Sequence, residues 1–152
     1  MSDAAKPPTF YLNIHTADLK AGHDFYSSLG FIPNLEYSDE KSKTFRLPAP
    51  NESICLMVHA HDRFKEFIRP GTQISDAKKV TESLFTFSVD DKEAVDNWLS
   101  KAVEAGGVAD PYTIPNYGEG YGMYTRSFSD LDGHIWEVIT MFDNGSRGNV
   151  ES

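Results

Sequence analysis

The spacing of apolar residues predicts an α+β chain built from two tandem βαβββ modules. Three observations carry that reading. Alternating, strand-like stretches and helix-spaced stretches occur in the order β, α, β, β, β, and after a polar connector the same order returns. Two pairs of landmarks keep one offset: the helix-start aspartates Asp18 and Asp91, and the large aromatics Phe25 and Trp98, are each 73 residues apart (91 − 18 and 98 − 25). Glycine ends both helical stretches, Gly30 in the first and Gly106-Gly107 in the second.

The first module spans residues 9–60. From Thr9 to Thr16, apolar Phe10, Leu12 and Ile14 alternate with Tyr11, Asn13 and His15, which predicts a half-buried strand with the second set on its other face. Asp18 can cap a helix whose stripe is Leu19, Gly22, Phe25, Tyr26 and Leu29. Strands are expected at Phe31–Tyr37 and Lys43–Leu47, and after the Pro48-Ala49-Pro50-Asn51 turn at Ser53–His59. Residues 61–82 read as a connector. In it Asp62 would cap a short helix containing Phe64, Phe67 and Ile68, which Pro70-Gly71 ends.

The second module spans residues 83–142. Phe85, Phe87 and Val89 alternate with Leu84, Thr86 and Ser88. A helix from Lys92 to Ala105 has Val95, Trp98, Leu99, Ala102 and Val103 as its stripe. Strands follow at Val108–Ile114, Gly122–Phe128 and His134–Thr140, the last after the turn Asp130-Leu131-Asp132-Gly133, where Gly can take a positive φ. Residues 1–8 and 143–152 read as disordered tails.

Composition narrows the partners. A net charge of −9 repels phosphate backbones and anionic lipid, so neither nucleic acid nor a membrane is expected to bind. The N-terminus lacks a basic-then-apolar signal pattern, and the sequence reads as cytoplasmic. Cys55, the one cysteine, lies in the apolar run Ile54–Val58 and reads as a small buried hydrophobe.

Two motifs resemble a known family. One is Asp18-Leu19 through Phe25-Tyr26-Ser27-Ser28-Leu29-Gly30-Phe31; the other is Asp130-Leu131-Asp132-Gly133-His134-Ile135-Trp136-Glu137-Val138. Both resemble the glyoxalase/bleomycin-resistance/extradiol-dioxygenase superfamily, also called vicinal oxygen chelate, over roughly residues 9 to 142. His61-Asp62-Arg63-Phe64 and Met123–Phe128 are most similar to its lactoylglutathione-lyase-like subgroup. The resemblance implies a glyoxalase-like fold, in which the modules curl a mixed sheet around an apolar-lined cleft. It also implies a homodimer with shared or swapped modules.

Metal-dependent relatives hold a divalent ion with side chains from the first and last strands of both modules. Carried over, those positions are Tyr11, one of Ile54–Val58, Leu84 and Glu137. Only Glu137 matches the expected ligand types, with His15 on the face of Tyr11 as a substitute, so the two metal candidates are Glu137 and His15. His59 and His61 form a weaker His-x-His pair. The cofactor expected is none, with a divalent metal as the alternative.

The alternation of His134–Thr140 sets Glu137 between Ile135 and Ile139, and a buried carboxylate there needs a partner. Arg126, on the neighbouring strand, is one candidate. The expected substrate-binding set is Tyr11, Asn13, His15, Met57, Leu84, Thr86, Tyr121, Tyr124, Arg126 and Glu137, with Glu137 the one catalytic candidate. Tyr117, Tyr121 and Tyr124 lie in a Gly-rich stretch that could lid a flat ligand, while His134 reads as structural.

Three functions fit this set: a metal-free binder of a small aromatic or apolar molecule; a metal-dependent lyase, isomerase or dioxygenase; and metal-free acid–base chemistry on Glu137 or His15. The first is preferred because the ligand set is degenerate.

Overall fold

The computed structural model describes Pro8 and residues 10–115 and 118–142. Apart from Pro8, both expected tails lie outside the described residues, as does Tyr117. Strand β1 (Phe10–Thr16) leads to helix α1 (Leu19–Ser28), the two-residue strand β2 (Ile32–Pro33), β3 (Ser42–Arg46) and β4 (Ile54–Ala60). A single helical turn, α2 (His61–Phe64), opens the connector. The second module repeats the series with β5 (Leu84–Ser88), α3 (Lys92–Glu104), β6 (Val108–Ala109), β7 (Met123–Ser129) and β8 (Ile135–Met141).

The strand order is β1-β4-β3-β2 in one sheet and β5-β8-β7-β6 in the other. In each, the first and last strands of the module run parallel and the remaining pairs are antiparallel. The expected α+β architecture is present as two separate mixed sheets, neither closed on itself. Both helix starts are as the sequence implies: Asp18 accepts from the Ala21 N–H and Asp91 from the Ala94 N–H. Gly30 ends the first helix at φ +95°, a conformation costly for any residue with a Cβ.

One core serves both modules. Tyr26 and Phe31 of the first meet Trp136 of the second, at ring-centroid distances of 6.0 and 5.7 Å, and Phe31 meets Trp98 at 5.8 Å. The helix-bearing faces of the sheets therefore pack toward one another, and their other faces point away. The Tyr26 hydroxyl donates to the buried carboxylate of Asp130 and accepts from the Trp136 indole N–H at 3.1 Å. The second oxygen of Asp130 takes the backbone N–H groups of Asp132 and His134, at 3.0 and 2.9 Å. Burial raises the pKa of both Asp130 and Tyr26. The two motifs that carry the resemblance thus clasp each other.

Several expectations change. The strand foreseen over Phe31–Tyr37 is only Ile32–Pro33, followed by a 3-10 turn at Leu35–Tyr37, because Pro33 has no N–H to extend a ladder. The strand foreseen to Ile114 stops at Ala109: Asp110 takes φ +49° and Pro111 follows. Asp62 does not cap α2. Ala60 holds that position, and the helix ends before Phe67. Phe10 and Val103, placed inward by periodicity, are 57% and 51% exposed, one at a strand start and one at the margin of its stripe.

Candidate functional site

The open face of the second sheet is set by register. Thr86 pairs with Glu137 and Leu84 with Ile135, and Ser127 lies across from Glu137 on β7. Leu84, Thr86 and Ser88 on β5 are exposed. Glu137 is buried, and both its carboxylate oxygens are occupied. The Tyr112 hydroxyl donates to one at 2.8 Å and the Thr86 hydroxyl to the other at 3.3 Å. Tyr112 was invisible to periodicity. It reaches Glu137 because the chain turns out of the sheet at Asp110-Pro111, the signal that could have found it. With Thr113, Ile114 and Thr125 it borders a 120 Å³ cavity beside Glu137.

Arg126 is not the partner of Glu137. It pairs in register with Val138, one step off, so its side chain stands on the helix-bearing face. There it bonds Asp96 at 3.2 Å and Asp110 at 2.8 Å. Tyr124 has the same parity and donates to Asp96 at 2.7 Å, with the Lys92 ammonium 4.8 Å above its ring. Neither shares a face with Glu137. Tyr121 is 73% exposed.

The open face of the first sheet carries Tyr11, Asn13 and His15 on β1, with Cys55, Met57 and His59 opposite them on β4. Ser42, Thr44 and Arg46 continue it on β3. Cys55 is buried, as its apolar run implies, and burial raises its thiol pKa. His59 is 2% exposed, with Nε2 2.8 Å from Asn13 Oδ1 and Nδ1 2.6 Å from Ser42 Oγ. His61 opens α2 and turns instead to His15, 3.3 Å between ring nitrogens. The His-x-His pair therefore points to two places.

His15 lies at a junction. Its ring also stacks edge-on against His134, whose Nε2–H donates to the His15 carbonyl at 2.8 Å. Beside it the connector and the Asp132 turn enclose an open cleft of about 1010 Å³. Burial lowers the His15 pKa, and His134 and His61 push the same way against Asp132 and the Ser75 backbone. Burial and then Arg63 lower that of His59.

Both groups therefore hold protons less well folded than unfolded. Their stability contribution is full above the usual histidine pKa, roughly 6.5, and is lost as pH falls below it. The melting temperature is expected to drop from pH 7.5 to 5, and less steeply in His15→Gln. Parallel profiles for the two proteins would remove His15 from the linkage.

The family model for the glyoxalase/bleomycin resistance protein/dioxygenase superfamily matches residues 10–138. The chain belongs to this superfamily. Solved members share its fold. A family enzyme from Burkholderia phytofirmans PsJN is 23% identical, with 87% of this chain and 97% of that one covered at TM-score 0.68. Lactoylglutathione lyase from Agrobacterium tumefaciens is 22% identical, with 89% and 96% covered at TM-score 0.59. The genomically encoded fosfomycin resistance protein FosX from Listeria monocytogenes is 18% identical, with 100% and 96% covered at TM-score 0.55. No curated protein matches the chain.

The donors of this superfamily member do not suit a divalent ion at the inherited positions. Leu84 has no donor atom and the Tyr11 phenol is a poor ligand for a divalent ion, which leaves Glu137 with too few companions at those positions. Among the described residues no three His, Cys, Asp or Glu side chains converge on a point. Among them, too, no helix is long and apolar enough to cross a membrane.

Proposed function

We propose that this superfamily member binds a small organic molecule on its open sheet faces without a metal. The observation that carries the reading is the bonding of Glu137 to Tyr112 and Thr86, next to Leu84 where relatives place a ligand. A carboxylate held by two hydroxyls is a fixed polar anchor in a surface otherwise apolar at Leu84, Ile135 and Ile139. Asn13, Met57 and Tyr11 offer the corresponding contacts on the first module.

The helix-bearing faces pack within the chain, so each open face would be completed by a second copy in a homodimer. A buried, solitary thiol suits a reducing compartment, which we take to be the cytoplasm.

Elemental analysis of protein purified without chelator, beside Glu137→Ala, tests the absence of metal. Less than about a tenth of an equivalent is expected in both, even after incubation with Ni²⁺, Zn²⁺, Mn²⁺ and Fe²⁺. Aromatic compounds should raise the melting temperature of the dimer, and a panel that never moves it sinks the binding reading.

The position of Glu137 on the last strand, facing outward from the core, favours one second reading: a metal-dependent lyase or isomerase resembling lactoylglutathione lyase. Near-stoichiometric metal that disappears in Glu137→Ala, with turnover of a methylglyoxal–glutathione hemithioacetal, would replace the first reading with this one.

A further inference from the structure

We propose that the open face of the first module recognises an oxyanion, a carboxylate carried on an apolar body, through the Asn13 amide and the Arg46 guanidinium. The inference rests on the reading that the open faces bind the ligand, and it names the chemistry of one of them.

A relay of hydrogen bonds sets the amide. Arg63 is fixed by Asp39 at 3.3 Å, and its N–H donates to Ser42 Oγ at 3.3 Å. A guanidinium only donates, so Arg63 fills one of the two acceptor positions of Ser42, and the neutral His59 ring, whose Nε2 faces the acceptor-only Asn13 Oδ1, takes the Ser42 hydroxyl proton on Nδ1, 2.6 Å away. The ring proton of His59 then sits on Nε2 and donates to Asn13 Oδ1 at 2.8 Å. With its oxygen engaged beneath, the exposed Asn13 side chain turns its NH₂ outward. Burial of His59, reinforced by Arg63, keeps the ring neutral and the relay in this sense.

Arg46 completes the face. It lies opposite Cys55 in register, and its guanidinium draws the Cys55 thiol pKa down against the upward effect of burial. Among the described residues no carboxylate pairs with Arg46. The accessible part of the face, Tyr11, Asn13, Arg46 and Met57, has no acidic side chain, in a protein with 23 acidic residues. Asn13 and Arg46 stand two strands and two residues apart, about 12 Å between Cα atoms from ordinary strand spacing. Met57 and Cys55 lie between them on β4, with Tyr11 beside Cys55 on β1, as an apolar floor. Donors without acceptors, flanking an apolar strip, match a carboxylate on an aromatic or aliphatic body.

The test is a titration of the labelled full-length protein, followed by NMR, with benzoate, benzyl alcohol and benzylamine. Benzoate is expected to move the Asn13 side-chain NH₂ signals and the backbone amides of Tyr11, Arg46 and Met57. It should bind roughly tenfold more weakly to Arg46→Gln and to Asn13→Asp, each of which removes a charged or donating contact. Aspartate still accepts from His59, so Asn13→Asp is expected to keep its fold, which its melting temperature checks. Long-range ¹H–¹⁵N correlations should place the His59 proton on Nε2; a proton on Nδ1 overturns the orientation of the amide and the proposal with it. Binding of benzyl alcohol or benzylamine to this face with benzoate excluded overturns the oxyanion assignment and leaves the binding reading intact. If none of the three moves either open face, both fall.

Discussion

Trp136→Ala is expected to cost about 3–5 kcal/mol of folding stability, read as a shift in the urea midpoint. The indole is 2% exposed and touches the rings of Tyr26, Phe31, Phe85, Phe87 and Phe128 at centroid distances between 5.2 and 6.4 Å. Those rings come from both modules, so truncation opens a cavity where the modules join. Phe85 and Phe87 on β5 and Phe128 on β7 stand on paired strands, which limits collapse into the gap. Trp136 also immediately precedes Glu137 on β8, so loosening it should blur the open face and weaken ligand binding. A loss below about 1 kcal/mol would mean that the modules are held together elsewhere.

Asp130→Ala is expected to be almost as severe, about 3 kcal/mol or more, because it leaves three donors without an acceptor. These are the Tyr26 hydroxyl and the backbone N–H groups of Asp132 and His134. Tyr26→Phe removes one of these three contacts, and also the acceptor of the Trp136 indole N–H, and should cost at least roughly 1.5–3 kcal/mol, the range for a hydrogen bond to a charged group. The double variant should cost less than the sum, since both singles break the same contact. Full additivity would show that Asp130 and Tyr26 act independently and that the clasp between the modules is incidental.

Much of the fold was legible. Strand alternation placed Phe85 and Phe87 on the face opposite Leu84 and Thr86, and the helix stripes placed Gly22, Phe25, Tyr26 and Leu29 inward. The errors came where local rules compete. Pro33 shortened one strand, and Asp110 with Pro111 broke another that apolar content alone favoured.

The site was legible in part. Alternation puts Glu137 on the face away from Trp136, where a buried carboxylate needs a partner, and Tyr112 and Thr86 supply it. Arg126, the candidate on the neighbouring strand, is excluded by register, which adjacency of strands does not fix. A shift of one residue exchanges Ser127 for Arg126 across from Glu137 and sends the guanidinium to the helix side, where Asp96 and Asp110 bind it.

By itself, then, the sequence determined the module order, the faces of most strands, the helix caps and the family. These depend on side-chain periodicity and short motifs, which act over a few residues. Tertiary structure alone decided that Tyr26 clasps Asp130 across 104 positions, that Tyr112 reaches Glu137, and that Asn13, His59, Ser42 and Arg63 form one relay. Each of these contacts joins elements whose separation in the chain carries no local signal. Their geometry follows from strand register and from how two sheets share a core, which no periodicity within one segment encodes.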